Sequence, residues 1–177
     1  MAYFNGDERL DRLCATVVML METLTGLEHK YSYEIVGHSG ETFELPLVGF
    51  GRPPTNRGER LAVVQTMVDH AARCRSGDNT LAAGARAVKY VRSEEADDFF
   101  VFLISDANLE GYGVSPETLA QALTNDPKVN AFVLFIAEPQ VAAEMQKRMP
   151  SGRAHVVLEN EGMPLLFKDI FTRAMLS

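Results

Sequence analysis

A chain of 177 residues is long enough to bury a real core and reads as one domain, 1–177. Its mean hydropathy lies near zero, as in a soluble globular domain. A net charge of −7 argues against a nucleic-acid or anionic-membrane partner, because nothing offsets phosphate repulsion over most of the surface.

The spacing of Leu10, Leu13, Val17, Leu20, Met21 and Leu24 predicts an amphipathic helix, which Gly26 ends. Its apolar stretch "LCATVVMLMETL" is too short to span a bilayer and carries Glu22, so it is neither a signal peptide nor a membrane span. "YSYEIVG" reads as a strand, "HSGE" as a turn, and "TFELPLV" as an alternating strand in which Pro46 favours an edge position. The Gly/Pro-rich "GFGRPPTNRG" leads to a helix over Glu59 to Cys74. "RSGDNT" breaks the chain before another helix, Leu81 to Val91.

Next comes "FFVFLIS", Phe99 to Ser105, a strand without a single charge, which runs into Asp106. "SPETLAQALT" is a helix with Ser115 as N-cap, Pro116 at its first position and Glu117 where the helix dipole favours a negative charge. "VNAFVLFIA" is a second wholly apolar strand, followed by a helix over Gln140 to Arg148. "AHVVLE" is a short strand, and "PLLFKDIFTRAML" closes as a helix. Strands apolar on both faces, alternating with helices, predict an α/β fold: a doubly wound, mostly parallel sheet covered on both sides. Such domains normally begin on a strand, whereas this chain opens on a helix, so a strand is expected to be missing in front of Met1.

Cys14 and Cys74 lie on the apolar faces of their helices and read as buried free thiols in a reducing compartment. The four histidines are scattered, with none at ligand spacing to a cysteine, which argues against a zinc site. Arg52, Arg57 and Arg60 form the one basic cluster and read as a solvated loop.

Asp106 allows three readings: a helix cap, a catalytic acid or a metal ligand. The cap reading is weakened because the next helix starts well downstream. "VGHSGE" approaches the G-x-S-x-G nucleophile elbow of serine hydrolases. However, Glu41 stands where the second glycine belongs, and a strand follows instead of a helix, so a polar hairpin turn accounts for it better. "GFGRPPTNRG" contains no G-x-G-x-x-G and "RSGDNT" lacks the P-loop lysine, so no nucleotide site is expected. "SGDNT" and "LISDANL" together offer the Thr80 hydroxyl and the Asp106 carboxylate on one rim of the sheet. These are oxygen ligands suited to a hard ion such as magnesium.

This pairing resembles the von Willebrand factor A fold, whose metal-ion-dependent adhesion site takes a threonine from one loop and an aspartate after the central apolar strand. The strings "YFNG", "RLDR", "YEIVGHSG", "SGDNTL", "EEADDFFVFLISDANLEGYGVSP", "NDPKVNAFVLFIAE", "MPSGRAHVV" and "IFTRAML" follow one another as in the von Willebrand factor A domain-containing protein 8 family. The resemblance covers essentially the whole chain. It implies a C-terminal domain of a large AAA-type ATPase, mitochondrial in eukaryotes, whose ATPase modules lie upstream. It also implies that the first, central strand and its D-x-S-x-S motif are missing here, since no such motif occurs in the sequence. On that likeness Thr80 and Asp106 are the residual part of an incomplete magnesium site, expected to bind the ion weakly or not at all. The implied function is a non-enzymatic interaction module that binds protein partners or remodelling substrates for the ATPase. The alternative is a metal-independent scaffold domain docked on its own ATPase ring.

Overall fold

Three- and four-residue apolar spacing makes α1 (Arg9–Leu24) a helix that buries Thr16, Val17 and Met21 and stops before Gly26, whose φ is 82°. The computed structural model describes residues 9–74, 77–136, 139–156, 166–167 and 169–170. The chain divides into two compact units, Met1–Asn79 and Thr80–Ser177.

In the first unit, β1 (Ile35–Gly37) and β2 (Leu45–Val48) form a two-stranded antiparallel sheet in the register Ile35↔Val48, Val36↔Pro46, Gly37↔Leu45. Both strands are shorter than the runs 31–37 and 42–48 suggest. The physical reasons are local: Pro46 has no N–H to give the ladder, and the register slips between Ile35 and Val36. α2 (Arg57–Arg73) starts two residues earlier than the pattern indicates. Asn56 caps it, accepting the Glu59 amide at 3.0 Å, while Glu59 reaches back to the Thr55 amide at 2.6 Å. Val17 and Met21 pack with Val48, Val63 and Met67 as this unit's core. Arg60 departs from the solvated-loop reading. It sits on α2, its side chain is mostly buried, and its Nε lies 2.9 Å from Glu22 of α1, close enough for an ion pair though not aligned as a hydrogen bond. Cys14 and Cys74 are free and half-buried; burial first, then the charge of Asp11, pushes the Cys14 thiol pKa up.

The second unit runs α3 (Thr80–Val91), β3 (Phe99–Ser105), α4 (Pro116–Leu123), β4 (Val129–Phe135), α5 (Pro139–Arg148) and β5 (Ala154–Val156). Its sheet is parallel, in the order β3-β4-β5, with β3 and β4 paired without a slip from Phe99↔Val129 to Ser105↔Phe135. β4 is buried along its length except at Asn130, as a central strand covered on both faces should be. α3 lies close on β3 and α4 at Gly84: a Cβ there would stand 3.3 Å from Leu103 Cδ2 and 3.1 Å from Leu123 Cδ2, so those methyls would have to give by a few tenths of an ångström. Just past α3, Arg92 stacks its guanidinium 4.4 Å from the Phe99 ring centre and pairs with Asp126 at 3.1 Å. On the other face Phe102 meets Phe132 and, edge-on, Phe167. The expected closing helix, 164–176, falls mostly outside the described residues; residues 166–167 and 169–170 are helical.

The α/β class is thus observed, with a parallel sheet in the second unit and a small antiparallel pair in the first. Among the described residues, no helix is long and apolar enough to cross a membrane.

Phe135 is fully buried in the central strand. Phe135→Ala should cost about 3–5 kcal/mol, a large share of a domain's stability, measured as a lowered urea midpoint. An unchanged midpoint would contradict the burial described.

Candidate functional site

β3 delivers its chain to the sheet's carboxyl edge, and the turn that follows is built by its own side chains. Ser105, buried, accepts the Ala107 amide on its Oγ at 3.3 Å, and Asp106 Oδ1 accepts the Asn108 amide at 3.2 Å. Between them Ala107 holds a left-handed φ of 62° although it carries a Cβ, and it is 1% exposed. A left-handed L-residue costs about 1–2 kcal/mol, so the surrounding packing imposes this turn. Its effect is to leave Asp106 half-exposed at the rim while Ala107 and Leu109 anchor the loop inside.

Beyond Leu109 a short 3-10 turn, Glu110–Tyr112, closes on backbone bonds from Tyr112 and Val114 to the Leu109 carbonyl, both at 3.0 Å. Ser115 caps α4, accepting the Thr118 amide at 3.1 Å. The cap reading of Asp106 therefore falls away for that helix.

Thr80 is the first residue of α3 and is 1% exposed, so it belongs to the helix and not to the loop before it. Gly84, one turn on, lies against Leu103, while Arg92 beyond the far end lies against Phe99. α3 therefore runs back along β3, and Thr80 lies toward the carboxyl end that Asp106 leaves. The positive end of the α3 dipole points to the same rim. The donors available are a hydroxyl and a carboxylate, hard oxygens that suit magnesium in kind. They fall short in number, because that ion wants about six oxygen ligands in a near-octahedral cage. Among the described residues, no group of three or more His, Cys, Asp or Glu could hold a metal.

An electrostatic brace spans the same loop. Arg148, at the end of α5, donates from Nε to Glu117 Oε1 at 2.9 Å and from Nη2 to Glu117 Oε2 at 3.0 Å, and its Nη1 bonds Glu110. Hydrogen bonding to Arg148 is the main reason that the Glu117 pKa is pulled down to about 2. Spacing could not reveal this brace, since its members are 31 and 38 positions apart.

In the first unit, the hydrolase candidate Ser39 meets a histidine: its Oγ lies 3.0 Å from His70 Nε2. The same Oγ accepts the Glu41 amide at 3.2 Å, the Ser39 amide bonds the Thr42 carbonyl, and Asn79 Nδ2 donates to the Ser39 carbonyl at 2.8 Å. Gly40 and Gly77 touch backbone to backbone, where a Cβ on Gly40 would stand 2.5 Å from Gly77 Cα. Ser39 is thus tied at every polar atom, and its turn leads into β2 and not into a helix. The cluster is a structural knot; the elbow geometry is absent.

The chain is 43% identical, over 176 residues, to von Willebrand factor A domain-containing protein 8 of Mus musculus. The likeness supports a von Willebrand factor A domain of that protein's family. The match takes in 98% of this chain and 9% of the relative's length. No family model matches the chain, and no solved structure does. No D-x-S-x-S string occurs in these 177 residues.

Two outcomes follow from this geometry. Ala107→Gly should be close to neutral, because relief of about 1 kcal/mol of left-handed strain offsets about 0.8 kcal/mol of lost methyl burial. Ala107→Val should lose at least about 2 kcal/mol in chemical denaturation, since it is both strained and overpacked. Equal stability of the two variants would contradict the turn described. Glu117 has a folded pKa of about 2 against an ordinary 4.5. Its stabilisation is therefore complete above about pH 4.5 and is lost as pH falls through 2. The melting-temperature gap between the native chain and Glu117→Gln should be full at neutral pH and shrink across that acid window. A gap that widens on acidification would reverse the sign.

Proposed function

We propose that this chain is a protein-interaction module of an AAA-type ATPase, engaging partners or remodelling substrates at a metal rim of which Thr80 and Asp106 are the part present here. The observation that carries the reading is Asp106 itself: a strained, buried Ala107 turn leaves this carboxylate half-exposed at the carboxyl end of an uncharged strand. In parallel α/β sheets, ligands bind at that end. The family relationship supports the module's class, and the all-oxygen donors support magnesium over softer metals. The reading assigns the domain no catalysis of its own; ATP hydrolysis belongs to modules outside this sequence. By resemblance, its setting is intracellular, and the mitochondrial matrix in a eukaryote.

The small number of oxygens favours a second reading, in which the domain docks on its own ATPase ring without metal. Manganese titration separates the two. Under the metal reading, calorimetry finds magnesium affinity no tighter than roughly millimolar. Paramagnetic Mn2+ should nonetheless broaden the amide resonances of Thr80 and of Asp106 to Asn108 first, and Asp106→Ala should remove that effect. Broadening that ignores Asp106→Ala would reject the metal rim in favour of the scaffold.

A further inference from the structure

The loop Ala107–Val114 has an inner half and an outer half with different supports. The inner half is anchored by Ala107 and Leu109, which are 1% and 0% exposed. The outer half carries the exposed Glu110 and Tyr112, the latter 41% exposed, and turns through Gly113 at a φ of 75°. The polar side-chain tie from that outer half to the helices is the bond between Glu110 and Arg148. Arg148 is in turn fixed by both oxygens of Glu117.

We propose that Arg148 is a positioning residue for the Asp106 rim, holding the loop after β3 so that Asp106 at its start and Tyr112 near its tip form one fixed surface. This rests on the reading of Asp106 as a contact residue made above.

The chemistry suits the task. A planar guanidinium presents several donors in one rigid fork, so one side chain can hold two carboxylates at once, which a lysine ammonium does only as a point charge. Both helix ends are placed favourably as well. Arg148 sits in the last turn of α5, where the dipole favours a cation, and Glu117 sits in the first turn of α4, where it favours an anion. The pKa of Glu117, at about 2, is consistent with a carboxylate that stays charged in the brace. All three side chains are 42–58% exposed, so salt screens each pair and the brace is modest in strength. A modest brace can still set the order of a short loop, because local opening draws on a free energy far smaller than that of global unfolding.

The test compares the native chain with Arg148→Ala and Arg148→Lys by amide hydrogen exchange and by Mn2+ broadening at Asp106. In Arg148→Ala the amides of Tyr112, Gly113 and Val114 should exchange roughly fivefold faster at low salt, with β4 unchanged. Arg148→Lys should restore part of the protection, and high salt should narrow the difference. The Mn2+ concentration that half-broadens Asp106 should rise by a similar factor in Arg148→Ala. Unchanged loop exchange, or faster exchange spread equally over β4, overturns the proposal. So does a loosened loop with an unaltered Mn2+ titration, which would make the brace structural only. If Mn2+ leaves Asp106 untouched in the native chain, the metal reading fails by itself. The exchange of the three loop amides then decides whether Arg148 positions the rim.

Discussion

The parallel ladder between β3 and β4 is the constraint on which the second unit depends. Two strands apolar on both faces cannot stand in water, so every neighbouring element is required to cover them. A parallel pair also cannot be joined by a tight turn; it needs a crossover, and α4 with its flanking loops supplies it. α3 covers one face, with Gly84 lying close against Leu103, while the Phe102, Phe132 and Phe167 rings fill the other. The unbroken register from Phe99↔Val129 to Ser105↔Phe135 brings both strands to the same carboxyl edge and fixes where Asp106 must emerge.

At that edge, stability and exposure pull in opposite directions. The ladder ends on Ser105, which is buried, and the chain must turn within two residues to bury Leu109 again. Ala107 absorbs the turn by adopting a backbone conformation that its Cβ disfavours. The Ser105 hydroxyl and the Asp106 carboxylate meet the amides that the turn leaves without ladder partners. The strain is spread over a well-packed neighbourhood, which is why a half-exposed carboxylate can be presented on a stiff base. The Arg148 brace adds an external support where internal packing ends.

The first unit solves a different problem with less apolar material. Its two strands form only a short sheet, interrupted by Pro46 and a register slip, so pairing alone stabilises it little. Polar joints compensate. Ser39 joins the β1–β2 turn to His70 of α2 and to Asn79, and the Gly40–Gly77 contact brings two backbone segments to a distance no side chain would allow. Arg60 and Glu22 join α2 to α1 in the same manner. A serine and a histidine at hydrogen-bonding distance have the look of catalysis, but the full set of Ser39 partners gives them a structural role.

The sequence alone determined the elements whose signals are local. Helix periodicity, the Ser115 cap with Pro116 behind it, and the uncharged runs of β3 and β4 were all legible, because burial of one stripe or of both faces writes itself into residue spacing. It also placed Asp106 at a strand end and, by its likeness to a known family, paired that residue with Thr80. Strand length in the first unit was not legible, since it depends on which amides find partners across the pair and not on how apolar the run is. The left-handed Ala107 left no trace either: nothing in "SDANL" requires it, and it accompanies the burial of Ala107 and Leu109 beneath the loop. The pairing of Arg148 with Glu110 and Glu117, and of Ser39 with His70 and Asn79, joins residues distant in the chain, and no motif announces it. Polar partners of this kind are chosen by where the backbone brings them, so tertiary structure alone decides which charges and hydroxyls meet.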